Sequence, residues 1–246
     1  MIVRPARTIA LALLAALAPA TVVLGAPGSG LPQGADPVSL NPADFSTKID
    51  NPYWPMRPGS RWVYRETSAG GDVRRVVVKV TSRTKRIANG VTARVVSDAV
   101  TERGKPVEVT EDWYAQDRAG NVWYLGEDTR EYENGKVKTT EGSFEAGVAG
   151  AQPGIAMPAH PAVGMAYRQE YFKGHAEDRG AILSTGEQVQ TRAGHFRHVV
   201  ITKDTTPLEP RVLELKFYAR GIGPVLELGI SGGGDRAELV SYRRGA

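Results

Sequence analysis

The densest set of side chains that could carry out acid–base chemistry lies between residues 170 and 178. Glu170, His175 and Glu177 are close together in this segment. Carboxylates and imidazole act as general acids and bases, and they are also the ligand types that suit Zn²⁺ or Fe²⁺. These three residues are the catalytic candidates of an exported metal-assisted hydrolase or lyase. Their spacing matches no known metal motif, so the favoured alternative is a polar surface loop.

A second candidate site consists of aromatic residues that could line a concave surface for an apolar or ring-bearing molecule, or for a lipid. Indole N–H and phenol O–H groups would orient such a ligand. Aromatic residues are also enriched in strands, so a packed core is the alternative, and both hold if the sheet is curved. The predicted ligand-binding residues are Trp54, Trp62, Tyr64, Trp113, Trp123, Tyr167 and Phe172.

The sequence offers one further candidate, a Ca²⁺ site, and it lacks the common catalytic and phosphate-binding motifs. Two acidic pairs, Glu111-Asp112 and Glu127-Asp128, flank a hairpin whose turn contains Asp117 and Asn121. Oxygen ligands of this kind suit Ca²⁺, but their spacing differs from the EF-hand loop, and Asp and Asn commonly bond their own backbone in turns. The sequence has no cysteine, no Gly-x-Ser-x-Gly elbow and no phosphate-binding glycine motif. It therefore predicts no metal site and no cofactor.

The elements that would position these residues are predicted to be short strands joined by tight turns. Trp62 and Tyr64 fall on one face of a strand by period-two alternation. Asn89-Gly90 and Asn134-Gly135 are strong hairpin signals, because both residue types tolerate positive φ at little cost. No amphipathic helix of three turns follows the N-terminal region. The fold class is therefore predicted to be all-β, with curved antiparallel meander sheets that form a half-barrel, a two-sheet sandwich or a barrel.

Residues 141–163 differ from this pattern, because they are rich in glycine and proline and poor in charge. Proline removes a donor from a strand ladder, so this segment is expected to be a loop and to contain no central strand. A long ordered loop is often functional.

The N-terminus has the composition of an export signal. Arg4 and Arg7 precede the apolar run 9–17, and small residues follow up to Ala26. We predict a signal peptide over 1–26, a flexible arm over 27–50 that is rich in Pro, Gly and Ser, and a single β domain over 51–246. An uncleaved membrane anchor is the alternative, although the apolar run is shorter than a comfortable span.

Export sets the expected location and partners. Removing residues 1–26 lowers the formal net charge from +4 to +2, and no basic tract with interleaved aromatics remains. Nucleic acid is therefore not expected as a partner, and neither is a stable transmembrane span after processing. The predicted location is secreted, periplasmic or at the cell envelope.

A constant offset of 104 residues links the two parts of the β domain. It aligns Gly90 with Gly194, Val95-Val96 with Val199-Val200, and Tyr114-Ala115 with Tyr218-Ala219. The offset predicts two related halves, 51–140 and 164–246, joined by the Gly/Pro-rich loop 141–163. Chance similarity between two β meanders is the alternative.

Four motifs carry a resemblance to a family. The runs NPYWP (51–55), GSRWVY (59–64), DWYAQD (112–117) and GNVWY (120–124) resemble an uncharacterised family of exported bacterial β proteins. The pattern Ala193-Gly194-His195-Phe196 before a β-branched strand is loosely similar to the periplasmic DUF3108 and LolA-like half-barrel proteins. The resemblance implies a curved antiparallel sheet that holds an apolar ligand or acts at the envelope. It brings no catalytic residues with it.

Three functions remain open from the sequence. The first is a secreted protein that binds an apolar small molecule or lipid on its aromatic concave face. The second is the exported enzyme that uses the 170–178 segment. The third is a structural or interaction module that uses its strand edges or an exposed apolar patch.

Overall fold

The computed structural model describes residues 30–246, and within this range nearly all regular structure is β. This confirms the predicted all-β, antiparallel class. A single-turn 3-10 helix spans Pro42–Asp44. The strands are β1 (Phe45–Ser46), β2 (Arg61–Thr67), β3 (Val73–Arg86), β4 (Thr92–Glu102), β5 (Lys105–Asp117), β6 (Val122–Glu133), β7 (Lys136–Thr139), β8 (Phe144–Glu145), β9 (Gln152–Met157), β10 (Ala166–Arg168), β11 (Glu170–Tyr171), β12 (Arg179–Thr191), β13 (Gly194–Thr205), β14 (Leu213–Ala219), β15 (Gly223–Ser231) and β16 (Arg236–Arg243).

One antiparallel sheet wraps into a nearly closed barrel. Its hydrogen-bonded path runs β10-β12-β13-β14-β15-β16-β2-β3-β4-β5-β6-β9-β11. The two ends of this path, β10 and β11, are consecutive in the chain and are separated by Gln169 alone. The segment 166–171 therefore belongs to both edges of the sheet. Closing a sheet on itself removes exposed edges, which would otherwise pair with other chains.

Alternation along each strand decides which side chains point into the barrel. In β2, Trp62 and Tyr64 line the interior cavity, while Val63 between them does not. In β5, Asp112 and Tyr114 line the cavity, while Trp113 between them does not. Successive side chains of a strand point to opposite faces, so one residue of register would exchange the interior for the exterior.

The expectation that 141–163 contains no central strand is wrong. Strand β9 (Gln152–Met157) lies between β6 and β11, and Pro153 is paired with Glu170. Pro153 is accommodated at the second residue of the strand, where its carbonyl accepts a hydrogen bond from Nε of Arg168. A Cβ on Gly154 would overlap the carbonyl oxygen of Gln169. The glycine therefore allows the backbone of the closing segment to approach β9.

The segment before residue 51 lies along the outside of the barrel, where residues 30–36 contact the closing segment. Arg168, which is buried, donates from Nη1 to the carbonyl oxygens of Gly34 at 2.8 Å and Asp36 at 2.7 Å. The Arg168 backbone N–H donates to the carbonyl of Pro32. Further along, Phe45 packs edge-on against Trp123. These contacts cover part of the outer face of the sheet.

The two predicted halves follow one another around the barrel. The turn at Asn89-Gly90 joins β3 to β4, and the turn at Arg192-Ala193 joins β12 to β13. Each of these strand pairs is followed by two further antiparallel strands. The common origin of the halves stays a prediction. The predicted signal peptide, residues 1–26, lies outside the described residues.

Between residues 30 and 246, no helix has the length and apolar character needed to cross a bilayer.

Candidate functional site

The interior of the barrel holds a cavity of about 60 Å³. This is room for several water molecules or one small organic molecule. Six aromatic rings form much of its wall, together with aliphatic side chains from β3, β4 and β15. The aromatic lining residues are Trp54, Trp62, Tyr64, Tyr114, Tyr124 and Tyr218.

Trp54 belongs to a short loop that packs against the wall of this cavity. Its ring centroid lies 5.4 Å from that of Tyr114 and 5.6 Å from that of Tyr218. The loop is fixed by Asn51, whose Oδ1 accepts from the backbone N–H groups of Tyr53 and Trp54. Nδ2 of Asn51 donates to the carbonyls of Gly120 and Pro158. The NPYWP motif therefore holds an aromatic ring between β5 and β14.

The cavity wall carries more carboxyl groups than lysine or arginine side chains. Carboxyl groups of Asp98, Asp112 and Glu227 line it, and Lys216 is its single Lys or Arg side chain among the described residues. Lys216 is already engaged, because its Nζ lies 2.8 Å from Oδ2 of Asp204. That aspartate also accepts from Nε2 of Gln169 at 3.0 Å.

The hydroxyl of Tyr124 joins two buried carboxyl groups. It lies 2.9 Å from Oδ1 of Asp112 and 2.8 Å from Oε2 of Glu127, which are cross-strand partners. A phenol has one proton to donate, so only one of these contacts can be a donation by Tyr124. In the other, a protonated carboxyl donates to the phenol oxygen. Burial and, second, the carboxyl of Asp112 together raise the pKa of Glu127 to about 8, in agreement with one retained proton.

Asp98 is the carboxyl group on the wall that lacks a complete set of partners. It is 3% exposed, and its Oδ1 has no hydrogen-bond partner. Burial and, to a smaller extent, the carboxyls of Asp112 and Glu66 together raise its pKa to about 7. Oε1 of Gln169, also on the wall, is buried without a partner. Both unpartnered atoms are hydrogen-bond acceptors when Asp98 is ionised.

The structure brings together part of the predicted aromatic set. Trp54, Trp62 and Tyr64 line the cavity. Trp113 and Trp123 lie on the other face of the sheet, where the Nζ of Lys85 sits 4.2 Å from the centre of the Trp113 ring. Tyr167 is buried where the barrel closes, and Phe172 stacks on His175 with ring centroids 4.6 Å apart. These last four side chains are not on the cavity wall.

The segment 170–178 does not gather its ionisable groups into one site. Glu170 is buried, whereas His175 is exposed. Oε1 of Glu177 accepts from the backbone N–H of Gly174 at 2.8 Å, as in a polar turn. Within residues 30–246, no group of three or more His, Asp or Glu side chains has the arrangement of a metal site. The other three histidines, His160, His195 and His198, are exposed.

The Asp117–Asn121 turn uses its polar atoms internally. Oδ1 of Asp117 accepts from the backbone N–H of Asn121, and Oδ2 accepts from Nδ2 of Asn121 and from Nε1 of Trp123, each at 2.8 Å. These bonds explain the polar residues of this turn by turn chemistry, which was the alternative to Ca²⁺.

The cavity wall also contains residues that are not among the predicted ligand-binding residues, chiefly Asp98 and Tyr218, and Asp112, which the sequence suggested only as part of an acidic pair. The signal that could have identified them is the position of the acids within strands. Asp98 lies between two apolar residues of the same face, Val96 and Val100. A carboxyl that alternates with apolar β-branched residues on one face of a strand is expected to point into the interior. Buried carboxyl groups are rare unless they are paired or functional.

No protein-family model and no curated protein matches the chain. Among solved structures, the chain is similar to a candidate lipoprotein from Parabacteroides distasonis. The sequences are 13% identical, the match covers 78% of this chain and 98% of the other, and the TM-score is 0.42.

Proposed function

We propose that this chain is an exported or cell-envelope binding protein that takes a small, largely apolar molecule into the interior of its barrel. The observation that carries the proposal is the cavity itself, which six aromatic rings and a few polar groups enclose. Ligand sites are mostly apolar concavities with a small number of polar groups that fix orientation.

The size of the cavity selects among the ligands that the sequence left open. At about 60 Å³ it is smaller than the roughly 150 Å³ apolar cavity that holds a benzene molecule in another protein. A lipid chain is too long for this space, so the proposed ligand is smaller than benzene and has fewer than six non-hydrogen atoms. Trp54 would move aside for a larger one, because its loop packs on the cavity from outside the sheet ladder.

The proposed location is based on the sequence. The charged start, short apolar run and small residues over 1–26 are those of a secretory signal. The resemblance to exported half-barrel proteins agrees with a curved sheet around a ligand. Membership of those families is part of the proposal.

The test is a titration of the mature protein with isobutanol, followed by tryptophan fluorescence. Trp54 and Trp62 lie on the cavity wall and should report occupation. We expect saturable binding at one site. In Ala237→Leu the added side chain fills the cavity and should abolish it, because Ala237 lines the wall. Ala99→Leu adds the same atoms at a half-buried β4 position off the wall, and should leave binding intact.

Two results would contradict the proposed binding function. If neither isobutanol nor its amine and acid analogues gives a saturable signal, the interior does not act as a binding site. The same conclusion follows if Ala237→Leu binds as well as the unmodified protein does.

A further inference from the structure

The cavity wall carries more carboxyl and amide groups than an apolar ligand would need. Three carboxyl groups line it, and its single lysine is bound to Asp204 outside the wall. Among the described residues, the wall offers an anionic ligand no lysine or arginine that is free of a carboxylate partner. A ligand that donates hydrogen bonds suits this wall better than one that only accepts them.

A buried acceptor without a partner points to a ligand that donates. Oδ1 of Asp98 is such an atom, in a side chain that is 3% exposed and lies on the cavity wall. Leaving a buried polar atom unsatisfied costs about 1–3 kcal/mol, and more for a charged group. Oε1 of Gln169 is a second acceptor of this kind on the same wall. A bound group with several N–H donors would satisfy both.

The aromatic part of the wall favours the same kind of ligand. Ring faces carry negative electrostatic potential and attract cations, most strongly where water is excluded. Trp54, Tyr114 and Tyr218 form one contiguous set, because the Trp54 ring lies within 5.6 Å of both tyrosine rings. Aromatic rings together with a carboxylate are the means by which proteins bind organic ammonium groups.

We infer that the cavity takes a small organic ammonium ion, with Asp98 as its charge partner and the rings of Trp54, Tyr114 and Tyr218 around its carbon atoms. This inference rests on the proposed binding function and names the chemical class of the ligand. The ammonium N–H groups donate to the free Oδ1 of Asp98 and to Oε1 of Gln169. The alkyl part occupies the aromatic side of the cavity.

The test compares three probes of one carbon skeleton: isobutylamine, isobutanol and isobutyrate, which are cationic, neutral and anionic at neutral pH. Each is titrated at constant ionic strength into the mature protein, with binding measured by calorimetry and tryptophan fluorescence. We expect the amine to bind at least tenfold more tightly than the alcohol, and the acid not to bind.

Asp98→Asn separates charge recognition from cavity size, since the two side chains have nearly the same volume. It should weaken the amine at least tenfold and weaken the alcohol by a clearly smaller factor, because the alcohol carries no charge for Asp98 to balance. Asp128→Asn makes the same change outside the cavity, where Asp128 pairs with Arg130, and should leave both affinities unchanged. Thermal unfolding of each variant verifies that it is folded. Glu227→Gln provides a second removal of charge from the wall if Asp98→Asn does not fold.

The outcomes distinguish this inference from the proposed function. If the alcohol binds as tightly as the amine, or if Asp98→Asn leaves amine binding unchanged, the cavity is a binding site for neutral molecules and the inference fails alone. If none of the three probes binds, both fail.

Discussion

The buried carboxyl groups predict that the protein loses stability as the pH rises, and Asp98 is the group to change. Burial raises the pKa of Asp98 to about 7 in the folded state, from 3.8 for an unhindered aspartate. Between pH 3.8 and about pH 7, the Asp98 carboxyl is therefore mostly protonated in the folded protein and mostly ionised in the unfolded chain. Unfolding releases this proton, so the free energy of unfolding falls as the pH rises through this window.

The size of the effect follows from the width of the window. Each proton released on unfolding lowers the free energy of unfolding by about 1.4 kcal/mol per pH unit. Between pH 5 and pH 8, Asp98 alone contributes a loss of about 3 kcal/mol, most of it below pH 7. Glu108, whose pKa burial and the carboxyl of Asp98 raise to about 9, adds a loss of the same sign that continues to higher pH.

The assay is urea unfolding of the protein at pH 5, 6, 7 and 8. In Asp98→Asn the side chain at this position cannot ionise. The loss in the free energy of unfolding between pH 5 and pH 8 should therefore be smaller in this variant by about 3 kcal/mol. Asp128→Asn, on the exposed side chain paired with Arg130, should keep the slope of the unmodified protein. The m-value should be the same at all four pH values, which verifies that the unfolding reaction has not changed.

The result that refutes this reasoning is a free energy of unfolding that is constant or increases from pH 5 to pH 8. A slope in Asp98→Asn equal to that of the unmodified protein would assign the effect to other groups.

Three further predictions concern the parts that hold the barrel together. Lys216→Met should lower the free energy of unfolding by about 3–5 kcal/mol, because it leaves Asp204 buried without its cation. Lys203→Met removes an exposed lysine and should cost little. Equal losses for the two variants in urea unfolding would contradict this prediction. Gly180→Ala should lower the free energy of unfolding by about 1–3 kcal/mol, since the added Cβ would lie 2.6 Å from the ring of Tyr167. The control in the same thermal-unfolding measurement is Gly70→Ala, whose Cβ would meet only flexible side chains at 3.6 Å or more. Arg168→Met removes hydrogen bonds to the carbonyls of Gly34 and Asp36 and should accelerate amide exchange in residues 30–38 more than in β4; unchanged exchange there would show that the arm is held by other contacts.

The strands could be predicted because their signals are local. The Asn89-Gly90 and Asn134-Gly135 turns fall between β3 and β4 and between β6 and β7, as expected for hairpins. Trp62 and Tyr64 share the interior face, as their alternation indicates. Strand β9 could not be predicted, because its glycine and proline are read as loop residues unless the backbone that packs against Gly154 is known.

The candidate site was only partly predictable, for a related reason. Trp113 and Tyr114 are adjacent aromatic residues on one strand, and composition does not indicate which of them faces the interior. In this protein both faces of β5 and β6 are apolar, because the N-terminal segment covers the outer one through contacts such as Phe45 on Trp123. Hydrophobic pattern then no longer distinguishes inside from outside.

By itself, the sequence determined the all-β class and the positions of most turns, since each depends on residues that are neighbours in the chain. The export signal stays a prediction from the sequence. Only the tertiary structure decided that Gln169 links the two edges of the sheet and that the acids of β4, β5 and β15 meet around one cavity. The acids of β4 and β5 lie on one hairpin, whereas Glu227 of β15 comes from a distant part of the chain, and the wrapping of the sheet brings all three to the wall of one cavity.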